Sequence, residues 1–194
     1  MINIEDIKKL REETGVAPTE IKKALDESKG DLKKAKEILR TWGKMLAGKK
    51  TDREAKQGII DFYIHPNAKT GVLLDMRCES DFVAKSPEFK NLAHEICLHI
   101  AAMKPLFISE DEISSEVIDG ETKIYQEQVA TSGKPQDITR QMVEGKLKKY
   151  KESVSLLSQP WVKDDSKTIK NLIEEAVAKI GENIFVKKFV RYEI

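Results

Sequence analysis

Apolar positions recur at helical spacing through the first 42 residues of the chain. Asn3 can cap a helix that carries Ile4, Ile7 and Leu10 on one face and stops at Gly15, where a left-handed residue is easily accommodated. Pro18 suits the first turn of a second helix, with Ile21, Ala24 and Leu25 as its stripe and Gly30 as its stop; Asp31 then caps a third, lined by Leu32, Ala35, Ile38 and Leu39. Helices this short are marginal in water, so the three stripes are expected to bury one another. Residues 1–42 therefore read as a three-helix domain near the lower size limit for independent folding. Lacking catalytic residue types, it suits docking better than catalysis. The stretch "GKMLAGKKTDREAKQG" (43–58) holds three glycines and several basic residues with little periodicity, and reads as a linker that is helical in part.

The period then changes from helical to alternating. "IIDFYIH" (59–65) and "VLLDMRC" (72–78) are rich in strand formers and flank "PNAKTG", a run of turn formers, which predicts an antiparallel hairpin. Ser86 can cap a helix with Pro87 in its first turn and Glu88 at its positive dipole end, running to about Met103 with Phe89, Leu92, Ala93, Ile96, Ile100 and Met103 on its apolar face. Between hairpin and helix, "RCESDFVAKSPEF" (77–89) sets Phe82 beside Ser80 and Asp81 in a polar connection, outside that stripe. Two readings stay open for Phe82. Either it folds back over the hairpin as core, or it projects as an apolar anchor with Asp81 as polar partner, the usual makeup of an interface hot spot.

Further on, charged amphipathic segments around a "GKP" connection predict an antiparallel helical hairpin over about 114–155. "LLSQPWVKDDS" (156–166) breaks the pattern at Pro160, and Asp165 or Ser166 is expected to start a helix to about Ile180, ended by Gly181. "NIFVKKFVRYEI" (183–194) reads as a last strand, completing a three-stranded sheet with the hairpin. The fold class is α+β: the three-helix domain (1–42), a linker (43–58), and a core over 59–194 that carries the protruding hairpin.

Composition narrows the chemistry. The 194 residues are 40% hydrophobic and 35% charged with a formal net charge of +1, so a real core is possible and no overall field selects nucleic acid or an anionic membrane. No signal-like start and no apolar run of about 18 residues stand out, which predicts a cytoplasmic protein. Cys78 and Cys97 lack CxxC spacing and read as buried reduced thiols. His94 and His99, five apart, point about 140° away from each other on a helix, so no metal site is expected. "SGKP" (132–135) lacks the spaced glycine and hydroxyl of a phosphate loop, no nucleophile elbow frames any serine, and Asp164 with Asp165 reads as a solvated helix start. Neither cofactor nor enzymatic chemistry is predicted. The basic runs at 49–56 and 146–151 read as solvated faces rather than nucleic-acid patches. His99 lies at the edge of its helix's apolar face, as a core-edge histidine or a rim contact for a partner.

Several blocks together resemble bacterial elongation factor Ts: "LREETGVAPTEIKKALDESKGDLKKA" (10–35), "RCESDFVAKSPEF" (77–89), "LHIAAMKPLFI" (98–108), "SGKPQDITRQMVEGKLKKY" (132–150), "SLLSQPWVKDDSKT" (155–168) and "AKIGENI" (178–184). They follow the family's order over nearly the whole chain. The resemblance implies a guanine-nucleotide exchange factor for the GTPase elongation factor Tu, with a ubiquitin-associated-like N-terminal domain, an α+β core and a coiled-coil protrusion. It implies that Asp81 and Phe82, matching the family's Thr-Asp-Phe with Ser80 in place of the Thr, insert near the GTPase's magnesium and phosphate site. It also carries partner contacts onto Lys22, His99, Ile180 and Val162, while Lys163 stands where some members have an apolar residue. Long members repeat the core unit. A single copy here implies a homodimer that binds two Tu molecules. The competing expectation is a helical adaptor for a ubiquitin-like fold or RNA.

Overall fold

The computed structural model describes residues 3–130 and 135–194, side chains 44, 46 and 47 excepted. The first three helices are α1 (Ile4–Thr14), α2 (Pro18–Glu27) and α3 (Leu32–Lys50). Their ends sit where local chemistry puts them. Asn3 Oδ1 accepts the Glu5 N–H at 3.1 Å, Gly15 closes α1 at φ +66°, and Asp31 accepts the N–H groups of Lys33 and Lys34 at 2.9 and 3.2 Å. Leu10, Ile21, Ala24, Leu25, Ala35 and Leu39 form the buried core of this trio, with Val16 and Trp42 packed against it.

The stretch read as a partly helical linker is helical in its first half, where α3 continues to Lys50. The reason is a packing contact that periodicity does not reveal: a Cβ on Gly43 would stand 3.3 Å from the Cβ of Ala178, so the glycine allows close approach between backbones. Arg40 also donates to Asn171 Oδ1 at 2.7 Å.

The predicted hairpin is present as β1 (Gln57–Ile64) and β2 (Thr70–Cys78), closed by the His65 N–H to Thr70 carbonyl bond at 2.9 Å. The last strand, β5 (Phe185–Glu193), pairs with β2, so the sheet is antiparallel with order β1-β2-β5. β2 buries Val72, Leu74, Met76 and Cys78 at period two. β1 does the opposite with its large residues. Ile60, Phe62 and Ile64 are 63, 61 and 57% exposed.

Between hairpin and long helix the structure has an element that the sequence reading left as a connection: α4 (Asp81–Lys85), followed by α5 (Pro87–Met103). Ser80 starts α4, its Oγ accepting the Val83 N–H; Ser86 ends it through its own N–H to the Val83 carbonyl and opens α5 by accepting the Phe89 N–H. Each serine thus satisfies an orphan backbone group at its helix end. The helical hairpin is α6 (Ser115–Ala130) and α7 (Gln136–Val154), while most of its expected connection, with "SGKP", lies outside the described residues.

The start of the last helix is a correction. Asp164–Thr168 is a strand, β4, paired antiparallel with β3 (Pro160–Trp161), and α8 runs from Ile169 to Ile180. Ile169 and Lys170 donate their N–H groups to the carbonyls of Gln159 and Leu157, bonds to distant chain that outcompete an earlier helix start. Asp164 and Asp165 therefore belong to a strand rather than to a solvated first turn.

By compactness the chain divides into two units, Met1–Phe62 with Leu73–Glu95 and Asn171–Phe189, and Tyr63–Val72 with Ile96–Lys170 and Val190–Ile194. Each has its own buried residues. Besides the three-helix core, Phe89, Leu92, Ala93, Ile173, Val177 and Val186 are buried in the first; Ile96, Cys97, Ile100, Ile113, Leu156 and Ile169 are buried in the second.

Candidate partner-binding site

In the first unit the structure brings Ser80, Asp81, Phe82 and Ile180 together. α4 has only five residues, and a helix that short holds its shape only through caps and tertiary bonds. Its second residue, Phe82, is 81% exposed, so it projects and is not core. Phe82, Val83, Ser86, Glu88, Lys179 and Ile180 line a shallow open groove, which places the end of α8 beside the projecting ring. Asp81 accepts the Lys85 Nζ at 2.7 Å, one turn along the same helix. That bond and the lysine's charge hold the Asp81 carboxyl below the usual carboxylate range, so it is an anion at neutral pH. The pair is exposed, which leaves Asp81 free to exchange Lys85 for another donor at little loss. Lys22 is exposed on α2 and is not among the groove's lining residues.

What holds α4 in place comes from far along the chain. Glu182 Oε2 accepts the N–H groups of Glu79 and Ser80 at 3.0 and 2.9 Å, and its Oε1 accepts the Ser80 hydroxyl at 2.5 Å. In return the Asn183 N–H donates to Glu79 Oε1 at 2.6 Å, and the Asn183 amide donates to the carbonyls of Thr51 and Arg53 at 3.2 and 2.8 Å. Gly181, at φ +91°, makes the turn that delivers both residues. The sequence reading missed Glu182 and Asn183. The available signal was the "GENI" that follows the α8 stop, a carboxylate and an amide one and two residues past a left-handed glycine. Cys78 lies beneath, its Sγ donating to the Ser80 carbonyl at 3.2 Å; burial and the Glu182 carboxylate push the thiol up to about 11, so it is an unreactive thiol.

The second unit holds His99 and Val162. Of the two readings for His99, the structure has the buried one, with 0% exposure. Its Nδ1 accepts the Val162 N–H at 3.3 Å and its Nε2 meets Gln159 Oε1 at 2.9 Å, while the Gln159 amide nitrogen donates to the carbonyls of Met103 and Ser153. Those two donations orient the amide, and the amide with the Val162 N–H selects the neutral imidazole protonated on Nε2. Desolvation lowers the His99 pKa below its ordinary 6.5. Val162 itself is exposed, as is Lys163 next to it.

Among the described residues no group of three or more His, Cys, Asp or Glu side chains could hold a metal ion, and no helix is long and apolar enough to cross a membrane. Neither Cys78 nor Cys97 is in a disulfide, and both are buried. What the arrangement in the first unit offers is a mounted aromatic side chain with an anion beside it.

Comparison with known proteins relates the sequence of the chain to a family. Residues 19–194 match the family described as Elongation factor TS. The chain is 47% identical over 191 residues to Elongation factor Ts of Rubrobacter xylanophilus, covering 98% of both chains. It is 50% identical over 188 residues to Elongation factor Ts of Coprothermobacter proteolyticus, 97% of this chain and 95% of the relative, and 49% identical over 193 residues to that of Thermotoga sp., 100% and 96%. A match this long and nearly end to end shows that the chain belongs to the elongation factor Ts family of translation elongation factors.

Proposed function

We propose that this protein is a cytoplasmic guanine-nucleotide exchange factor for elongation factor Tu, and that Asp81 and Phe82 carry the exchange. The observation that carries the reading is Phe82, 81% exposed on a five-residue helix that is capped at both ends. Leaving a large ring in water forgoes roughly 2 kcal/mol of burial, which a partner's apolar pocket returns on docking. Ser80 and Asp81 supply polar contacts at the rim, and Ile180 extends the apolar surface along the groove. In this reading the ring enters a pocket of the GTPase domain beside its magnesium and phosphate site, and displaces the elements that hold the nucleotide. No covalent bond changes. The energetics is linkage: a factor that binds nucleotide-free Tu more tightly than Tu·GDP weakens GDP by the same coupling free energy, about tenfold in affinity for each 1.4 kcal/mol.

Lys22 adds a charged contact from α2. Val162 and His99 serve the same partner, Val162 by its exposed side chain and His99 by holding the Val162 N–H. The three-helix domain of residues 1–42 is the ubiquitin-associated-like module, α6 and α7 form the coiled-coil protrusion, and the protein works as a homodimer without direct nucleic-acid contact.

Release of a fluorescent GDP analogue from a bacterial elongation factor Tu tests the reading. The parent should accelerate release strongly, and Phe82→Ala should lose at least about tenfold of that acceleration, as truncation of a hot-spot aromatic does. A folded Phe82→Ala that accelerates like the parent sinks the wedge. No acceleration by the parent leaves an adaptor.

A further inference from the structure

We infer that Glu182 is the positioning residue of this exchange factor: it holds the start of α4, and through it Phe82, in the docking geometry before any partner arrives. The inference rests on the exchange reading above. A five-residue helix has no intrinsic stability, and Ser80 alone would be a weak mount for it. The Ser80 hydroxyl can accept the Val83 N–H only while its rotamer is held, and the Glu182 carboxylate holds it by accepting that hydroxyl's proton. The same carboxylate takes the N–H groups of Glu79 and Ser80, two successive backbone donors at the point where β2 ends. Three charge-assisted bonds to one side chain fix the direction in which the backbone leaves the strand, which decides where the next two residues point.

The mount is itself anchored on both sides. Glu79 accepts the Asn183 N–H, so the segment just after β2 and the turn after α8 each supply a carboxylate to the other's backbone. Asn183, 6% exposed, ties the turn to the carbonyls of Thr51 and Arg53. Glu182 is not part of the groove beside Phe82, so its contribution runs through geometry rather than contact. Pre-ordering the anchor removes the entropy that a loose segment would lose on docking, which raises both the rate and the strength of productive encounter.

The test uses the full-length protein in the GDP-analogue release assay with Glu182→Ala, Glu182→Gln, Phe82→Ala and the double variant Phe82→Ala/Glu182→Ala. Glu182→Ala should lose about tenfold of the acceleration at limiting factor, the scale expected when part-buried backbone donors and the cap lose their acceptor. Glu182→Gln should recover most of it, because the amide oxygen still accepts from Ser80 N–H and the amide nitrogen can donate to the Ser80 hydroxyl. A purely structural role would not give that rescue together with the second expectation, that the double variant is no slower than Phe82→Ala alone. Acceleration by folded Glu182→Ala within about twofold of the parent, or a loss that adds to that of Phe82→Ala, overturns the inference. Parent-like behaviour of Phe82→Ala overturns the exchange reading instead. Should Glu182→Ala not fold, amide hydrogen exchange of the parent decides: Glu79 and Ser80 amides must be protected against Glu182→Gln-sensitive opening, and exchange at the rate of an open loop removes the mount.

Discussion

A neutral imidazole enclosed by Val162 and Gln159 ties stability to pH at one residue. The folded His99 pKa lies below the ordinary 6.5, so between the two values the unfolded chain binds the proton and the folded chain does not. Its contribution is therefore complete above about 6.5 and declines as pH falls toward the folded value. Protonation would also set an Nδ1–H against the Val162 N–H, donor to donor. Thermal unfolding should show a lower midpoint at pH 5 than at pH 7.5, and His99→Gln should flatten that dependence; equal slopes in both would assign it elsewhere. At this scale sequence reading did best where the chemistry is local. Ser80, Asp81 and Phe82 stand out because a bulky ring beside two acceptors is odd in a connection. Glu182 did not, since its partner Ser80 is 102 residues away.

At the scale of elements, the β1-β2 pair depends on Gly58. Its φ is +153°, and a Cβ there would sit 2.1 Å from the Met76 carbonyl oxygen and 2.9 Å from the Arg77 Cα, both backbone atoms that cannot yield. Gly58→Ala should cost about 2 kcal/mol or more in urea unfolding. Gly71→Ala is the contrast, because its Cβ would meet only the Ile64 Cδ1, at 3.0 Å, and a side-chain end can move. It should cost less; the reverse order would show that backbone approach is not what Gly58 provides. Elements with strong periodicity and caps, such as α1, α5 and the hairpin, were legible in advance. α4 was not, being too short for any period, and β4 was not, because its pairing with Pro160–Trp161 overrides a charged, helix-compatible sequence.

At the scale of the whole molecule, β1 turns its large apolar side chains to water. Ile60 and Phe62 are 63 and 61% exposed, with Leu73 and Phe185 exposed on the neighbouring strands, so the sheet offers water a set of large apolar side chains. We propose that a second copy of the chain covers them, since like apolar faces are self-complementary in a two-fold dimer. Sedimentation should find a dimer at micromolar concentration and a folded monomer for Phe62→Glu, which buries a charge in any such interface. A monomeric parent, or a dimer indifferent to Phe62→Glu, would place the contact elsewhere.

What the sequence determined alone is the set of local decisions. Caps, stripes and turn residues act within a few positions of one another, so helix and strand types, the three-helix core and the odd placement of Phe82 could be read directly. Tertiary structure decided whatever depends on residues distant in the chain. It extended α3 past Gly43 because Ala178 packs there, drew residues 164–168 into a strand, and put Glu182 under Ser80. Hydrogen bonds and close packing between remote segments outweigh propensities worth less than about 1 kcal/mol per residue.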